Sequence, residues 1–355
     1  RRVLFRSMNL KKLKDAAVLI AFLAVMLWTS YGSTEEKEDK QIYIGVACYD
    51  RKDTFLGELM EAFKDECSYL EAKGYGISLT IMDAANSQRT QDDQVQEMIN
   101  NGCDILCVNL VDRTDPSEII DTARENDVPI IFFNREPVEE DLMQWNKLYY
   151  VGAEAKQSGQ MQGELAADFI KENPSVDKNS DGKIQYVILE GELGHQDAII
   201  RTESVAESMK ENGVELEKLS YQTANWNRAQ AQNRMTQLIG QYKNSIELVI
   251  ANNDAMALGA MDAYEKLGIT DSNYPVFFGI DGTDEGLEAV RQSKLAATVY
   301  NDKEGQAYAM AQLAYAVVTG YGMNNIGFEN KKYIYLPYKK VTAGNVTDFI
   351  DNIQD

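Results

Sequence analysis

The sequence contains few of the residues that build most catalytic and metal centres. Its 355 residues include one histidine and four cysteines, which leaves little material for a zinc cluster or a histidine-based catalytic apparatus. Neither of the glycine-rich patterns G-x-x-x-x-G-K-[ST] and G-x-G-x-x-G is present, so a nucleotide is not the obvious ligand. Positive charge is also scarce, since 35 Lys and Arg face 56 Asp and Glu, for a net charge of −21. Such a chain is a poor candidate for binding nucleic acid or an anionic membrane surface.

The N-terminus has the layout of a secretory signal. Met8 opens a basic stretch, an unbroken apolar run covers 16–28, and small residues follow near 30–32. We expect 1–32 to be a signal peptide or an N-terminal anchor, with 1–7 not native, and 33–40 to be a charged tether. The apolar run is short for a membrane-spanning helix, and a buried core helix is the alternative. Export predicts an extracytoplasmic protein.

The four cysteines are predicted to be buried free thiols. Export would permit disulfides, but the spacing of Cys48, Cys67, Cys103 and Cys107 matches no standard metal motif. Cys48 and Cys107 lie in apolar runs typical of strands, and Cys67 continues the apolar face of a predicted helix. Burial as small hydrophobic side chains is therefore favoured over a structural bridge.

From residue 41 onward the chain alternates strand and helix patterns. IYIGVA at 42–47 and VPIIFF at 128–133 are nearly continuous apolar runs, and 55–73 is an amphipathic helix pattern. The alternation restarts after about residue 150 and continues through ELVIA at 247–251. Such strands form parallel sheets covered on both faces. The length and the two runs together predict an α/β fold with two doubly wound parallel-sheet domains.

Polar residues follow the predicted strands at the ends where open α/β sheets bind ligands. They are Asp53, Asn109, Asn253, Asp254, Asp281 and Asn301, and the aromatic Phe55 stands beside Asp53. Side chains of Asp and Asn offer planar acceptors and donors that suit sugar hydroxyls, and Phe55 and Trp226 are aromatic candidates for the apolar face of a pyranose. The alternative for each single residue is a helix cap, a turn former or a packing contact.

A second cluster precedes and enters a predicted helix. His195 and Asp197 lie in the segment GHQD, and Arg201 comes four residues after Asp197. This spacing places the acid and the arginine on one side of the first helical turns. A surface ion pair beside an incidental histidine is the alternative interpretation.

A third cluster has the pattern of a calcium-binding loop. The segment 177–185 reads D-K-N-S-D-G-K-I-Q, which matches the first nine positions of D-x-N-x-D-G-x-I-x. Gly182 permits the sharp turn, and Lys183 offers its backbone carbonyl. The twelfth position holds Ile188 instead of the usual glutamate, so a remote carboxylate must close the site. The alternative is an acidic turn.

These residues, in this order, resemble the bacterial galactose/glucose-binding proteins, the sugar receptors of ABC importers. The likeness spans Gln41 to the C-terminus. Its most specific stretches are NLVD (109–112), VPIIFFNREP (128–137), YYVG (149–152), GHQDA (194–198), VIANNDAMALGA (249–260) and the calcium loop.

The resemblance implies roles for individual residues. Those that match the sugar-bonding positions of the family are Asp53, Asn109, His195, Asp197, Arg201, Asn253, Asp281 and Asn301. Phe55 and Trp226 match the two aromatics that enclose the pyranose. The implied calcium ligands are Asp177, Asn179, Asp181, the Lys183 carbonyl, Gln185 and the distant Glu247.

The resemblance also implies an architecture and partners. Two lobes are joined by three hinge crossovers, which we place near 129–133, 299–302 and 336–340. The N-terminal lobe is then 41–130 plus 302–337, and the C-terminal lobe is 131–301 plus 338–355. The expected partners are D-galactose or D-glucose, an ABC permease and a chemoreceptor, and the protein is expected to be a monomer.

Other functions remain as alternatives. A binding protein for another sugar, such as ribose or xylose, is the main one. A glycosidase would pair Asp53 with Asp197 or Asp281, although nothing marks a general acid, and we expect no enzyme. A sugar-responsive repressor would need an N-terminal DNA-binding motif and basic charge, neither of which the sequence provides.

Overall fold

The structure is a computed structural model that describes residues 41–270 and 273–350. The strands in chain order are β1 (Ile42–Cys48), β2 (Ile77–Asp83), β3 (Ile105–Val108), β4 (Ile130–Phe133), β5 (Leu148–Gly152), β6 (Ile184–Glu190), β7 (Leu216–Thr223), β8 (Leu248–Ala251), β9 (Val276–Phe278), β10 (Ala297–Tyr300), β11 (Tyr333–Tyr335) and β12 (Lys339–Thr342). The α-helices are α1 (Thr54–Ala72), α2 (Gln88–Asn100), α3 (Ser117–Glu125), α4 (Glu139–Leu142), α5 (Ala155–Glu172), α6 (Gln196–Glu211), α7 (Arg228–Tyr242), α8 (Asp254–Lys266), α9 (Asp284–Arg291), α10 (Lys303–Thr319) and α11 (Thr347–Ile350).

The predicted signal or anchor at 1–32 and the tether at 33–40 lie outside the described residues, as do the last five residues. Within the described ranges, no helix is both long and apolar enough to cross a membrane.

The described strands form two six-stranded sheets with the same internal order. The first sheet runs β11-β5-β4-β3-β1-β2 and is parallel throughout. The second runs β12-β10-β9-β8-β6-β7 and is parallel except at its edge, where β12 pairs antiparallel with β10. The predicted class, two doubly wound α/β lobes, is confirmed.

Central strands are buried on both faces, as their apolar sequences predict. Every residue of β3, β4, β8 and β10 is buried, and helices cover the two faces of each sheet, which gives parallel sheets their continuous apolar strands. The edge strand β7 has a largely polar sequence and is half-exposed. This strand was not predicted, because its pattern lacks the apolar run of its neighbours.

The first crossover between the sheets differs from the prediction. Strands β4 and β5 belong to the first sheet, so the division at residue 130 was wrong, and 131–152 lie in the first lobe. The chain first passes to the second lobe between β5 and α5, which packs on α6. VPIIFF was interpreted as the last strand before the crossover, although LYYVG forms one more strand beside it. The other passages lie between β10 and α10 and between β11 and β12.

All four cysteines lie in the first lobe as free, buried thiols, in agreement with the sequence interpretation. Burial raises the pKa of Cys48 to about 12. A thiol with such a pKa carries almost no thiolate at neutral pH, so it packs as an apolar side chain.

Candidate functional site

A cavity lies where the carboxyl ends of strands from both sheets face each other. The residues that line it are Tyr49, Asp53, Phe55, Asn134, Arg135, His195, Asp197, Arg201, Trp226, Asn253 and Asp281. Its free volume is about 30 Å³, room for about two water molecules at roughly 10–15 Å³ each. The lobes therefore stand close together, and any larger ligand requires them to part.

Asp53 is fixed from within the first lobe. Its Oδ1 accepts the backbone N–H of Leu56 at 2.9 Å, which caps helix α1, and its Oδ2 accepts the hydroxyl of Tyr49 at 2.7 Å. Asp53 is therefore a helix cap, which was the alternative interpretation of its sequence position. This role places its carboxylate at the cavity wall. Phe55 follows in the first turn of the helix and packs with the apolar core of that lobe.

His195 occupies the same capping position on helix α6. Its Nδ1 accepts the backbone N–H of Asp197 at 3.1 Å. Burial lowers the pKa of His195 well below its usual value, and the positive charges of Arg135 and Arg201 add to this effect. A neutral imidazole whose Nδ1 accepts a hydrogen bond carries its proton on Nε2, so His195 has a donor left for a ligand.

Arg201 is the central cation of the second lobe and is buried. Its Nη1 donates to the carbonyl of Asn252 at 2.8 Å and lies 3.5 Å from Oδ1 of Asp281, and its Nη2 donates to the hydroxyl of Tyr338 at 3.0 Å. Oδ2 of Asp197 lies 4.0 Å from Nη2. The Nε of Arg201 is buried without a hydrogen-bond partner, which leaves a donor for an incoming group.

Burial raises the pKa of both Asp197 and Asp281, while Arg201 acts in the opposite direction on each. The guanidinium of Arg201 thus faces the carboxylates of Asp197 and Asp281 in a buried, poorly solvated part of the site. Such carboxylates gain from neutral hydroxyl donors, which satisfy their oxygens without adding charge.

Trp226 enters the cavity from a tight turn between β7 and α7, where its φ is 60°. Its ring lies against the backbone of Gly191, where a Cβ atom would come 2.1 Å from Cζ2. Only glycine leaves room for the ring there. Asn253 holds the same turn, because its Nδ2 donates to the Trp226 carbonyl at 3.3 Å while its Oδ1 caps helix α8.

The loop predicted to bind calcium folds around the carboxylate of Asp177. Its two oxygens accept the backbone N–H groups of Asp181, at 3.2 Å, and Gly182, at 2.9 Å. Gly182 has a φ of 82°, a conformation that favours glycine. The turn thus has the shape that the D-x-N-x-D-G pattern predicts.

The other predicted ligands reach the same loop. Both oxygens of Glu247 accept backbone N–H groups, from Lys178 at 2.6 Å and from Gln185 at 3.0 Å. The side-chain amides of Asn179 and Gln185 both donate to Oδ2 of Asp181, at 3.0 and 2.9 Å. Across the described part of the chain, no three His, Cys, Asp or Glu side chains converge as a metal cluster.

Comparison with known proteins places this geometry in a family. The model of the periplasmic binding protein domain matches residues 44–322. The chain belongs to the periplasmic binding protein family.

Two curated relatives and one solved structure show the range of the family. The D-galactose/methyl-galactoside binding periplasmic protein MglB of Haemophilus influenzae is 36% identical over 86% of this chain and 91% of its own length. A putative rhizopine-binding protein of Rhizobium meliloti is 30% identical over 83% of this chain and 92% of its own. An ABC transporter solute binding protein from Bacillus halodurans C-125, solved with bound myo-inositol, is 30% identical with a TM-score of 0.73, covering 89% of this chain and 99% of that one. Members of this family are substrate-binding receptors of ABC transporters rather than enzymes, and they act outside the cytoplasm.

The structure of this binding protein brings most of the predicted sugar-site residues together. Eight of the ten line the cavity, and Asn109 and Asn301 stand just behind it. Nδ2 of Asn109 donates to Oδ1 of Asn134 at 3.0 Å while its own Oδ1 is buried without a partner, and Asn301 accepts from Gln306 at 2.7 Å.

Three cavity residues were not predicted, namely Tyr49, Asn134 and Arg135. Each follows β1 or β4 at its carboxyl end, so the rule applied to other strands would have found them. Arg135 also joins the two lobes. Its guanidinium lies 3.6 Å from the centre of the Tyr49 ring, and its Nη2 donates to Oε2 of Glu192, across the cleft, at 2.7 Å.

Proposed function

We propose that this protein captures D-galactose or D-glucose between its two lobes and delivers the sugar to an ABC importer. The observation that carries the proposal is the composition of the cavity wall, which combines Phe55 from one lobe and Trp226 from the other with carboxylates, two amides and two guanidinium groups. Aromatic rings pack on the C–H face of a pyranose, and the polar groups bond its hydroxyls. The relative that is named for galactose supports the same class of ligand.

The polar groups provide both halves of the hydrogen bonds that a sugar needs. Asp197 and Asp281 accept, Arg201 and His195 donate, and Asn253 does either. Because the groups are buried, a missing or inverted hydroxyl leaves one of them unpaired. The loss is about 1–3 kcal/mol, or about 5- to 150-fold in affinity, which gives the site its discrimination.

Sugar entry requires the lobes to part, since the present cavity has room for only about two water molecules. Rotation about the three passages between the sheets opens the cleft, and closure buries the sugar. A permease that reads the closed arrangement then receives the loaded protein.

A calorimetric panel of D-galactose, D-glucose, D-ribose, D-xylose and myo-inositol tests the proposal. We expect a hexose to bind most tightly, with the pentoses weaker because they lack a hydroxymethyl group to fill the cavity. Absence of heat with both hexoses contradicts the proposal. Incubation with aryl glycosides serves as a control, and turnover of these substrates would indicate a glycosidase instead.

A cyclic polyol or another monosaccharide is the second candidate. The solved relative that contains myo-inositol is 30% identical to this chain over nearly its whole length. A six-membered ring of hydroxyls suits the same carboxylates and rings. If myo-inositol binds more tightly than either hexose in the panel, this candidate replaces the first.

We also propose that the loop at 177–185 binds one calcium ion. The ligands would be Asp177, Asn179, Asp181, the Lys183 carbonyl, Gln185 and Glu247. The donor set fits a hard cation, because it offers only oxygens once the amides of Asn179 and Gln185 turn, and amide orientation is not fixed by the fold. Bound calcium would supply the positive charge that holds these carboxylates together and ties the loop to β8.

Thermal melting tests the calcium proposal. The melting temperature of metal-free protein should rise by several degrees on addition of CaCl₂. In Asp181→Asn, which weakens the site, the rise should shrink. In Asp168→Asn, a surface acid elsewhere in the same lobe, it should match wild type. A verified metal-free preparation that melts at the same temperature with and without calcium contradicts the proposal.

Export, the oligomeric state and a chemoreceptor partner are further proposals. We propose that the chain is exported by its N-terminal segment, acts as a monomer and is read in its closed form by a chemoreceptor. Mass spectrometry of the mature protein tests cleavage after about residue 32. Light scattering tests the monomer, and loss of galactose taxis in cells without this protein tests the chemoreceptor.

A further inference from the structure

Asp254 is a buried carboxylate next to the cavity that the sugar contacts do not use. It is the first residue of α8 and directly follows Asn253, yet it does not line the cavity and is fully buried. Within the described residues it forms no salt bridge. Burial raises its pKa to about 7. Burying an acid without a cation costs free energy of folding. We therefore expect the hydrogen bonds that Asp254 accepts to hold a part of the fold in place.

The carboxylate ties together three segments at the cavity end of the second sheet. Its Oδ1 accepts the hydroxyl of Thr298 on β10 at 2.6 Å, and its Oδ2 accepts the backbone N–H of Thr283 at 2.9 Å. Its own backbone N–H donates to the carbonyl of Ile280 at 2.7 Å. Two of these bonds fall on either side of Asp281, so Asp254 holds the Ile280 end of that segment through its backbone and the Thr283 end through its carboxylate.

The backbone of that segment needs such support. Asp281 has a φ of 112°, a conformation that is unfavourable for any residue but glycine and persists only where surrounding contacts impose it. The chain also leaves room for the Asp254 carboxylate. A Cβ atom would come 2.1 Å from Oδ1 at Gly279 and 2.2 Å from Oδ2 at Gly286.

We infer that Asp254 is a positioning residue that holds the Asp281 carboxylate at the sugar and sets the strength of one hydroxyl contact. This inference rests on the proposed function. Asp281 touches the ligand, and Asp254 acts only through it. A purely structural role for Asp254 would instead weaken all sugar contacts alike, or none.

Calorimetry with D-galactose and its monodeoxy analogues separates these roles. The variants are Asp254→Asn, Asp281→Asn, the double variant and Thr298→Val, which keeps its shape and removes one donor to Asp254. The matched control is Asp262→Asn, on the same helix, where the carboxylate pairs with Arg228 at the surface. The hydroxyl that Asp281 bonds is the one whose removal no longer weakens binding to Asp281→Asn.

We expect Asp254→Asn to bind D-galactose about tenfold more weakly than wild type. The penalty for removing the Asp281-bonded hydroxyl should shrink at least about threefold in this variant, while penalties at other hydroxyls stay as in wild type. The double variant should bind like Asp281→Asn, because the two residues act as a unit. Thr298→Val should also reduce the penalty for removing the Asp281-bonded hydroxyl. This variant provides the test if Asp254→Asn does not fold. The control should match wild type.

An even loss across all analogues, multiplicative effects in the double variant, or wild-type affinity in both Asp254→Asn and Thr298→Val overturns the inference. Each of these results requires that wild type binds the sugar. A wild type that binds no sugar of the panel overturns the proposed function, and the inference with it.

Discussion

The two lobes share one strand order but build their sides of the cleft differently. In the second lobe α8 begins three residues after β8 ends, whereas in the first lobe a longer loop separates β3 from α3. Short connections leave little freedom to the side chains at the strand end. The second lobe therefore holds Asn253 directly between β8 and α8.

The charges differ in the same way. In the second lobe, Asp197 and Asp281 are arranged around Arg201, and their partners come from that lobe. In the first lobe, Arg135 takes one of its partners, Glu192, from the other side of the cleft. The comparison indicates that the second lobe is organised before the ligand arrives, and that the first lobe completes its contacts on closure.

The largest expected effect comes from removing the central cation of the second lobe. Arg201→Met leaves Asp197 and Asp281 buried without their guanidinium, so the free energy of unfolding should fall by about 3–5 kcal/mol. Urea denaturation measures it. The control is Arg228→Met, a surface arginine that pairs with Asp262 and Glu285. It should cost about 1 kcal/mol or less, and equal losses in the two variants would argue against an organised second lobe.

Replacing one cavity-lining acid in each lobe compares what the two lobes contribute to sugar binding and to stability. Asp197→Ala should weaken galactose binding at least about tenfold without unfolding the protein. Asp53→Ala should weaken binding and also lower the free energy of unfolding by about 0.5–2 kcal/mol, because it removes the cap of α1. Calorimetry and urea denaturation measure both quantities. Unchanged affinity in Asp197→Ala would refute its role at the sugar.

The single histidine gives a smaller, pH-dependent effect. Because the folded-state pKa of His195 lies well below its usual value, the unfolded chain takes up a proton near pH 6.5 that the folded protein does not. Wild type should therefore lose stability relative to His195→Gln as the pH falls below about 6.5, by up to about 1.4 kcal/mol per pH unit. Denaturation between pH 5 and 8 measures the difference, and a constant difference would show that the histidine takes up its proton equally in the folded and unfolded states.

The smallest effect concerns the bond between Arg135 and Glu192 across the cleft. Glu192 is half-exposed, so Glu192→Gln should cost about 0.2–1 kcal/mol, seen as up to about fivefold weaker sugar binding. The loss should fade at high salt. Asp168→Asn, which removes an ion pair within one lobe, is the control. Equal affinity of Glu192→Gln and wild type at low salt would remove this contact from the account of closure.

The sheets could be predicted from the sequence because the parallel strands of a sheet covered on both faces are nearly continuous apolar runs. The prediction missed β7, whose edge position permits polar residues, and it placed the first crossover too early because β5 was not recognised. The sequence left Asp53 and Asn253 open as either helix caps or ligand-binding residues. In the structure each of them caps a helix and also lines the cavity.

The position of Arg135 at a strand end could be predicted from the sequence, but its partner across the cleft could not. Its contact with Glu192 depends on how the lobes face each other, and no periodicity encodes that arrangement. The role of Asp254 was equally hidden, since its partners Thr283 and Thr298 lie on separate segments and meet only in the folded sheet.

A crystal structure of the protein with D-galactose tests the central claim most directly. The account predicts a pyranose in van der Waals contact with both Phe55 and Trp226, whose hydroxyls donate hydrogen bonds to Asp53 in one lobe and to Asp197 and Asp281 in the other. A sugar held by one lobe alone, or bound away from these two rings, would contradict it.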